Sequence, residues 1–168
     1  MKKTAAKVVT RGELACDRPA AWRKVCFYEH VTIRPPLWLR LALPEPVESE
    51  GHHKGVGETS RCRYSDGGFL TKQITWLKEG ERVDFVIVEQ SIRYHRGVKL
   101  LGGCIFLAEA GEGGTSVEMV TYYRNLYRPS AIMDFFLRRV IRAMHRTTIR
   151  DMRCAIALEH VVAVNFVI

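Results

Sequence analysis

Ile74-Thr75-Trp76-Leu77-Lys78-Glu79-Gly80-Glu81-Arg82-Val83-Asp84-Phe85-Val86-Ile87 decides the fold. The polar stretch from Lys78 to Glu81, with a glycine inside it, separates two segments of strand length rich in β-branched and aromatic residues, the pattern of a hairpin. Closing that loop sets Trp76 opposite Val83 and Ile74 opposite Phe85, and directly opposed residues point to the same side of a sheet. Ile74, Trp76, Val83, Phe85 and Ile87 then form one apolar face, with Asp84 on the other.

Similar turns recur at Ser65-Asp66-Gly67-Gly68, His95-Arg96-Gly97 and Gly111-Glu112-Gly113-Gly114. Connections this short join only antiparallel neighbours, so the spacing predicts a five-strand meander. In its last strand Val117, Met119, Thr121 and Tyr123 alternate with Ser116, Glu118 and Val120, and the first set is the better inner set. Ile105 and Leu107 join it, with a bulge expected at Gly102-Gly103. If Gly68 takes the left-handed position of a three-residue loop, Tyr64 lies opposite Leu70 and Cys62 opposite Lys72. Lys72 then points inward, or outward after a one-residue slip, because such a slip reverses every side chain.

Upstream, a strand is read at about residues 8–16. Asp17-Arg18-Pro19 has the form of a helix start, because an Asp side chain caps free N–H groups and proline is tolerated in the first turn. A helix over 18–29 follows, and a second, over 37–43, is bracketed by Pro35-Pro36 and Pro44. From Pro44 to Gly57 the chain is polar, with no apolar period, and reads as a mobile flap. After Pro129-Ser130 a helix from about Ala131 to Met152 is uninterrupted by proline or glycine. At about 100° per residue, Met133, Phe136, Leu137, Val140, Ala143 and Met144 cluster on one side, and Arg138, Arg139, Arg142, Arg146, Arg150 and Arg153 on the other. The apolar side is expected against the sheet. The apolar segment 155–168 reads as a docked tail, an added strand or a dimer contact, being shorter than the ~20 residues that cross a bilayer.

A chain of 168 residues, 47% apolar and 26% charged, buries enough surface to fold as one domain without disulfides. The five cysteines lack any Cys-x-x-Cys pair, and Met1 to Lys7 is not followed by a signal-peptide core. Together these point to a reducing cytoplasmic setting. The net charge of +8 draws acidic or phosphate-rich partners and says nothing of the fold.

The order strand, two short helices, five-strand meander and long C-terminal helix, an α+β arrangement with a curved antiparallel sheet wrapped on the helix, resembles the START-like superfamily. This is also called the SRPBCC or helix-grip fold, and it includes plant pollen allergens and polyketide cyclases. Local motifs carry the resemblance further. Val56-Gly57-Glu58-Thr59-Ser60-Arg61-Cys62, Gly67-Gly68-Phe69-Leu70 and Ile74-Thr75-Trp76 look like that family's central hairpin. Gly102-Gly103-Cys104-Ile105-Phe106-Leu107, Gly113-Gly114-Thr115 and Thr121-Tyr122-Tyr123 look like its last hairpin. The match spans about Glu13 to Met152, so residues 1–154 are expected as the ligand-binding domain. The resemblance implies a cavity between sheet and helix that holds a hydrophobic ligand in most members and supports cyclisation or dehydration in some. It transfers no catalytic residue.

Where the inner face of the meander meets the apolar side of the helix, the expected walls are Ile74, Trp76, Phe85, Ile87, Ile105, Leu107, Met119, Thr121, Tyr123, Phe136 and Val140. The leading reading is a binding or carrier domain for an apolar small molecule. A cyclase- or dehydratase-like enzyme using Tyr123, Thr121 or Lys72 is an alternative. A basic module docking RNA, an acidic protein or anionic lipid through Arg138, Arg142 and Arg146 is another, against a merely solvated helix face. No motif specifies a reaction or a cofactor. His52-His53 beside Glu45, Glu48 and Glu50 reads as solvated flap, since adjacent histidines on an extended chain diverge. His145, at the border of the apolar and basic sides, reads as a surface residue in preference to one that reaches the pocket mouth.

Overall fold

The computed structural model describes residues 5–51, 55–92, 96–128 and 130–165. The short loops do join antiparallel neighbours. Among the described residues, seven strands form one sheet: β1 (Ala6–Leu14), β2 (Pro46–Gly51), β3 (Thr59–Tyr64), β4 (Phe69–Lys78), β5 (Arg82–Gln90), β6 (Val98–Glu109) and β7 (Thr115–Asn125). Their spatial order is β1-β7-β6-β5-β4-β3-β2, a meander to which β1 returns beside β7. Helices α1 (Arg18–Arg23) and α2 (Leu37–Ala42) fill the connection from β1 to β2, and α3 (Ser130–Asn165) follows β7.

The meander has one strand more than expected, because β2 lies inside the segment read as a flap. It is held by main-chain pairing with β3, from Pro46 opposite Tyr64 to Gly51 opposite Ser60. Val47 on it is 70% exposed. An edge strand without a buried face has no apolar alternation to betray it. His52 and His53 lie outside the described residues, as does part of the turn expected at His95.

Asp17 caps α1 as expected, accepting from the Ala20 N–H at 2.9 Å. The helix stops at Arg23 rather than running to Glu29, and a single 3-10 turn, Tyr28–His30, follows. The break turns Phe27 into the core, 7% exposed, edge-on to Phe85 at 5.2 Å.

Three bulges bend the β4 to β7 part of the sheet. Ile74 does face Phe85, but Thr75 is an extra residue on β4, so Trp76 falls opposite Asp84 and Leu77 opposite Val83. Trp76 therefore belongs to the outer face, 42% exposed, under the Arg82 guanidinium at 5.5 Å. A second irregularity separates Thr71 from Lys72. The third, between Leu100 and Gly102, gives Gly102 a φ of 144°, and a Cβ there would lie 2.2 Å from the Phe85 carbonyl. The bulge expected at this glycine pair is explained by that close approach. In the β3–β4 hairpin Gly67, not Gly68, takes positive φ, and Cys62 faces Leu70. That is two residues from the expected register, which preserves the face, so Lys72 points inward and is 7% exposed.

α3 is longer than expected and continues to Asn165 through the segment read as a tail. Ile156 packs into the main core with Ile149, Met152 and Leu14. Its buried stripe is shifted: Val140 is buried as expected, but with Ile141, His145, Thr148, Ile149 and Met152, while Phe136 is 45% exposed. An apolar count leaves out His145 and Thr148, whose polar atoms have partners: the ring meets threonine hydroxyls on the sheet, and the Thr148 hydroxyl donates to the Met144 carbonyl at 3.0 Å. Arg138 and Arg153 are not free in solvent either, donating to the main-chain carbonyls of Lys7 and Glu13 on β1 at 3.4 and 2.8 Å. Asp151, buried on α3, accepts from the Thr32 and Ile33 N–H groups and the Thr32 hydroxyl at 2.7 to 3.0 Å, fastening the loop ahead of α2.

Candidate functional site: a cavity with a polar floor

Bending the sheet away from α3 leaves space between them. An outer chamber of about 370 Å³ lies beneath the first turns of α3, walled by Met133, Phe136 and Val140 from the helix, Leu70 and Leu100 from the sheet, and the end of α2. An inner chamber of about 100 Å³ lies behind it. Tyr28, Tyr64, Leu70, Leu100, Ile141 and Met144 border both chambers, which places the two side by side.

Of the expected walls, Phe85, Ile87, Ile105, Met119 and Thr121 line the inner chamber, and Phe136 and Val140 the outer one. Four do not line it. Ile74 and Leu107 are packed in the main core, and Trp76 is on the outer face for the reason given above. Tyr123 is fully buried with Val8 and Ile141, and its hydroxyl donates to Asp134 at 2.5 Å, away from the cavity.

The inner chamber has two polar groupings. Lys72 of β4 pairs with Glu29 of the 3-10 turn; their side chains are 9% and 3% exposed. The ammonium also lies 4.3 Å from the Phe27 ring centroid and 5.3 Å from that of Phe85. Burial alone would push the Glu29 carboxyl up, but the adjoining Lys72 charge and its hydrogen bond outweigh that and hold it below the usual range. Carboxylate and ammonium thus face each other as an ion pair within the floor. Burial, followed by the Glu29 charge, holds the Tyr64 phenol well above its usual range.

His145 is the second grouping. Its Nδ1 meets the Thr10 hydroxyl at 2.9 Å and its Nε2 the Thr121 hydroxyl at 2.8 Å. Burial pushes its pKa down to about 4, so the ring is neutral at pH 7, with one nitrogen donating and the other accepting. Its inward position corrects the surface reading. Glu29 and His145 were both missed as site residues. The signals were present: a lone acid in the apolar run Val25-Cys26-Phe27-Tyr28, and a histidine one turn from Ile141 and Ile149. Among the described residues no group of three or more His, Cys, Asp or Glu is placed to hold a metal ion, and no helix is long and apolar enough to cross a membrane.

No protein-family model matches the sequence, and no curated protein matches it. Solved structures do. XoxI from Bacillus cereus is 15% identical, with a TM-score of 0.64 over 92% of this chain and 99% of that one. Norcoclaurine synthase from Thalictrum flavum, in complex with dopamine and hydroxybenzaldehyde, is 13% identical, with a TM-score of 0.62 over 94% of this chain and 89% of that one. Major latex-like protein 151 from Panax ginseng is 17% identical, with a TM-score of 0.54 over 90% of this chain and 97% of that one. At these identities the likeness speaks for the fold alone. A seven-stranded antiparallel sheet bent around one long C-terminal helix, shared almost end to end with these structures, gives the chain the helix-grip fold.

Proposed function

We propose that the domain binds and carries an elongated apolar molecule whose buried end is a neutral oxygen group such as a carbonyl or hydroxyl. The observation that carries this reading is the pairing of an apolar outer chamber with a floor that is polar but charge-balanced. The outer volume falls in the range of about 300–1,000 Å³ typical of small-molecule sites. At the floor the Lys72 ammonium has donors beyond the one given to Glu29, and Thr121 supplies a hydroxyl. A carboxylate there would add an uncompensated charge to a buried, balanced pair, which is costly.

Thermal-shift measurement with matched ligands tests this. A long-chain ketone or alcohol is expected to raise the midpoint, by the equivalent of about 2.7 kcal/mol at ~100 times its dissociation constant, and the fatty acid of equal length to do much less. Met144→Trp, which fills the junction of the chambers, should abolish the shift. A larger shift with the acid would refute the neutral-end reading, and no shift with any apolar ligand the carrier reading itself.

Lys72 also supports a second reading, an enzyme that polarises a carbonyl held against its ammonium. Thr121 lines the same chamber, whereas Tyr123 does not. In that case Lys72→Met would abolish turnover of a bound carbonyl compound while leaving apolar ligands able to bind.

A further inference from the structure

The two helices that help to wall the outer chamber carry side chains that water does not favour. Ile132 and Phe135 on the first turns of α3 are 69% and 72% exposed, and Leu37 and Leu41 on α2 are 67% and 74% exposed. The two helices are neighbours: Phe136 and the residues after Leu41 wall the same chamber, and the Arg139 guanidinium sits 5.9 Å from the Trp38 ring centroid. Scattered exposed apolar residues need no explanation, but a contiguous group beside an apolar opening does.

The same outward face of α3 changes character along its axis. Past the apolar turns it presents Arg139, Arg142, Arg146 and Arg150, all exposed. At 1.5 Å per residue the apolar stretch from Ile132 to Phe136 covers about 6 Å, and the arginines from Arg139 to Arg150 about 16 Å beyond it. The neighbouring acids do not cancel this charge, because Asp134 is paired with Arg138 and Glu45 with Arg40. The chain as a whole carries +8.

We propose that this face docks the protein on an anionic lipid surface, with Leu37, Leu41, Ile132 and Phe135 entering the boundary between headgroups and acyl chains and the arginines lying on lipid phosphates. An apolar tip followed by a basic stripe matches a bilayer interface, where apolar burial and electrostatic attraction act together. A nucleic acid would satisfy the arginines and leave the apolar tip against water or phosphate. The mouth of the cavity then opens toward the acyl chains, so that an apolar ligand passes between membrane and cavity without crossing water. Docking stands apart from the cavity reading and is measured without added ligand.

The test is co-sedimentation of the full chain with phosphatidylcholine vesicles, with and without phosphatidylserine. Ile132→Ser/Phe135→Ser and Arg142→Gln/Arg146→Gln change only exposed positions, and unaltered urea midpoints would verify their folds. Binding is expected to need phosphatidylserine and to weaken with salt. It should fall about tenfold for each apolar residue removed and about fivefold for each arginine. Brominated acyl chains should quench Trp38 fluorescence, identified by its loss in Trp38→Phe. Met144→Trp should bind vesicles as the unaltered chain does, even with its cavity closed. Absence of vesicle binding, binding indifferent to both double variants, or a dimer dissolved by Phe135→Ser in place of vesicle binding would overturn the proposal.

Discussion

Glu29→Gln removes one half of a charge pair at the cavity floor. The Lys72 and Glu29 side chains are only 9% and 3% exposed, so water cannot take the place of the lost carboxylate. Removing one partner of a buried pair costs about 3–5 kcal/mol, most of it the penalty of an uncompensated charge. With a urea slope of about 2 kcal/mol/M, the unfolding midpoint should fall by roughly 1.5–2.5 M. Glu118→Gln is the internal control. It removes the partner of Arg11, where the side chains are 79% and 30% exposed for Arg11 and Glu118, and the cost should stay within about 1 kcal/mol. Glu29→Gln/Lys72→Met removes both charges and should recover most of the loss, since replacing a whole buried pair is often near neutral. If Glu29→Gln costs no more than Glu118→Gln, or the double variant is as unstable as the single, the argument for a buried, balanced floor fails.

Three further outcomes follow from the same geometry. The folded pKa of His145 is depressed from 6.5 to about 4, so its contribution is complete above pH 6.5 and lost as pH falls through 4, amounting to about 3 kcal/mol; His145→Asn should flatten that part of the urea-midpoint profile, and an unchanged slope would count against the assignment. Ile141, 5% exposed, should cost about 2–5 kcal/mol as Ile141→Ala, whereas Phe136→Ala, at a residue 45% exposed, should cost clearly less; the reverse order in urea unfolding would return the helix to its expected orientation. Burial and then the nearby Asp151 push the Cys26 thiol up to about 12, while Cys154 is exposed, so native-state alkylation followed by peptide mass mapping should label Cys154 well before Cys26.

The sheet was legible where alternation and turn residues agreed, as in β7, where Met119 and Thr121 reached the cavity side. It failed at Trp76 because one extra residue at Thr75 reverses the faces beyond it, and nothing in the local composition announces that residue. Lys72 came out inward although the hairpin was two residues out of register, since a slip of two restores each side chain to its face. The strand at Pro46–Gly51 was illegible because ladder hydrogen bonds are made by main chain, which every sequence possesses. The helix was legible as a helix but not in its rotation. Phe136 on the first turns overhangs the cavity mouth, and further along a histidine and threonines occupy the buried stripe. Glu29 was hidden by distance, since its partner lies 43 residues away and no periodicity joins them.

Open sheets have two edges, and each of these is closed by different means. On β1 the main-chain carbonyls of Lys7 and Glu13 are taken by arginines reaching over from α3. The other edge strand, β2, starts with a proline and exposes Glu48, Ser49 and Glu50. A second copy approaching β1 must first displace guanidinium groups, and one approaching β2 meets carboxylates and a residue with no N–H to offer. Strand-by-strand stacking of whole molecules, the first step toward a fibre, is therefore obstructed at both ends, which lets the chain tolerate an apolar mouth in its native state without growing into an aggregate through its sheet.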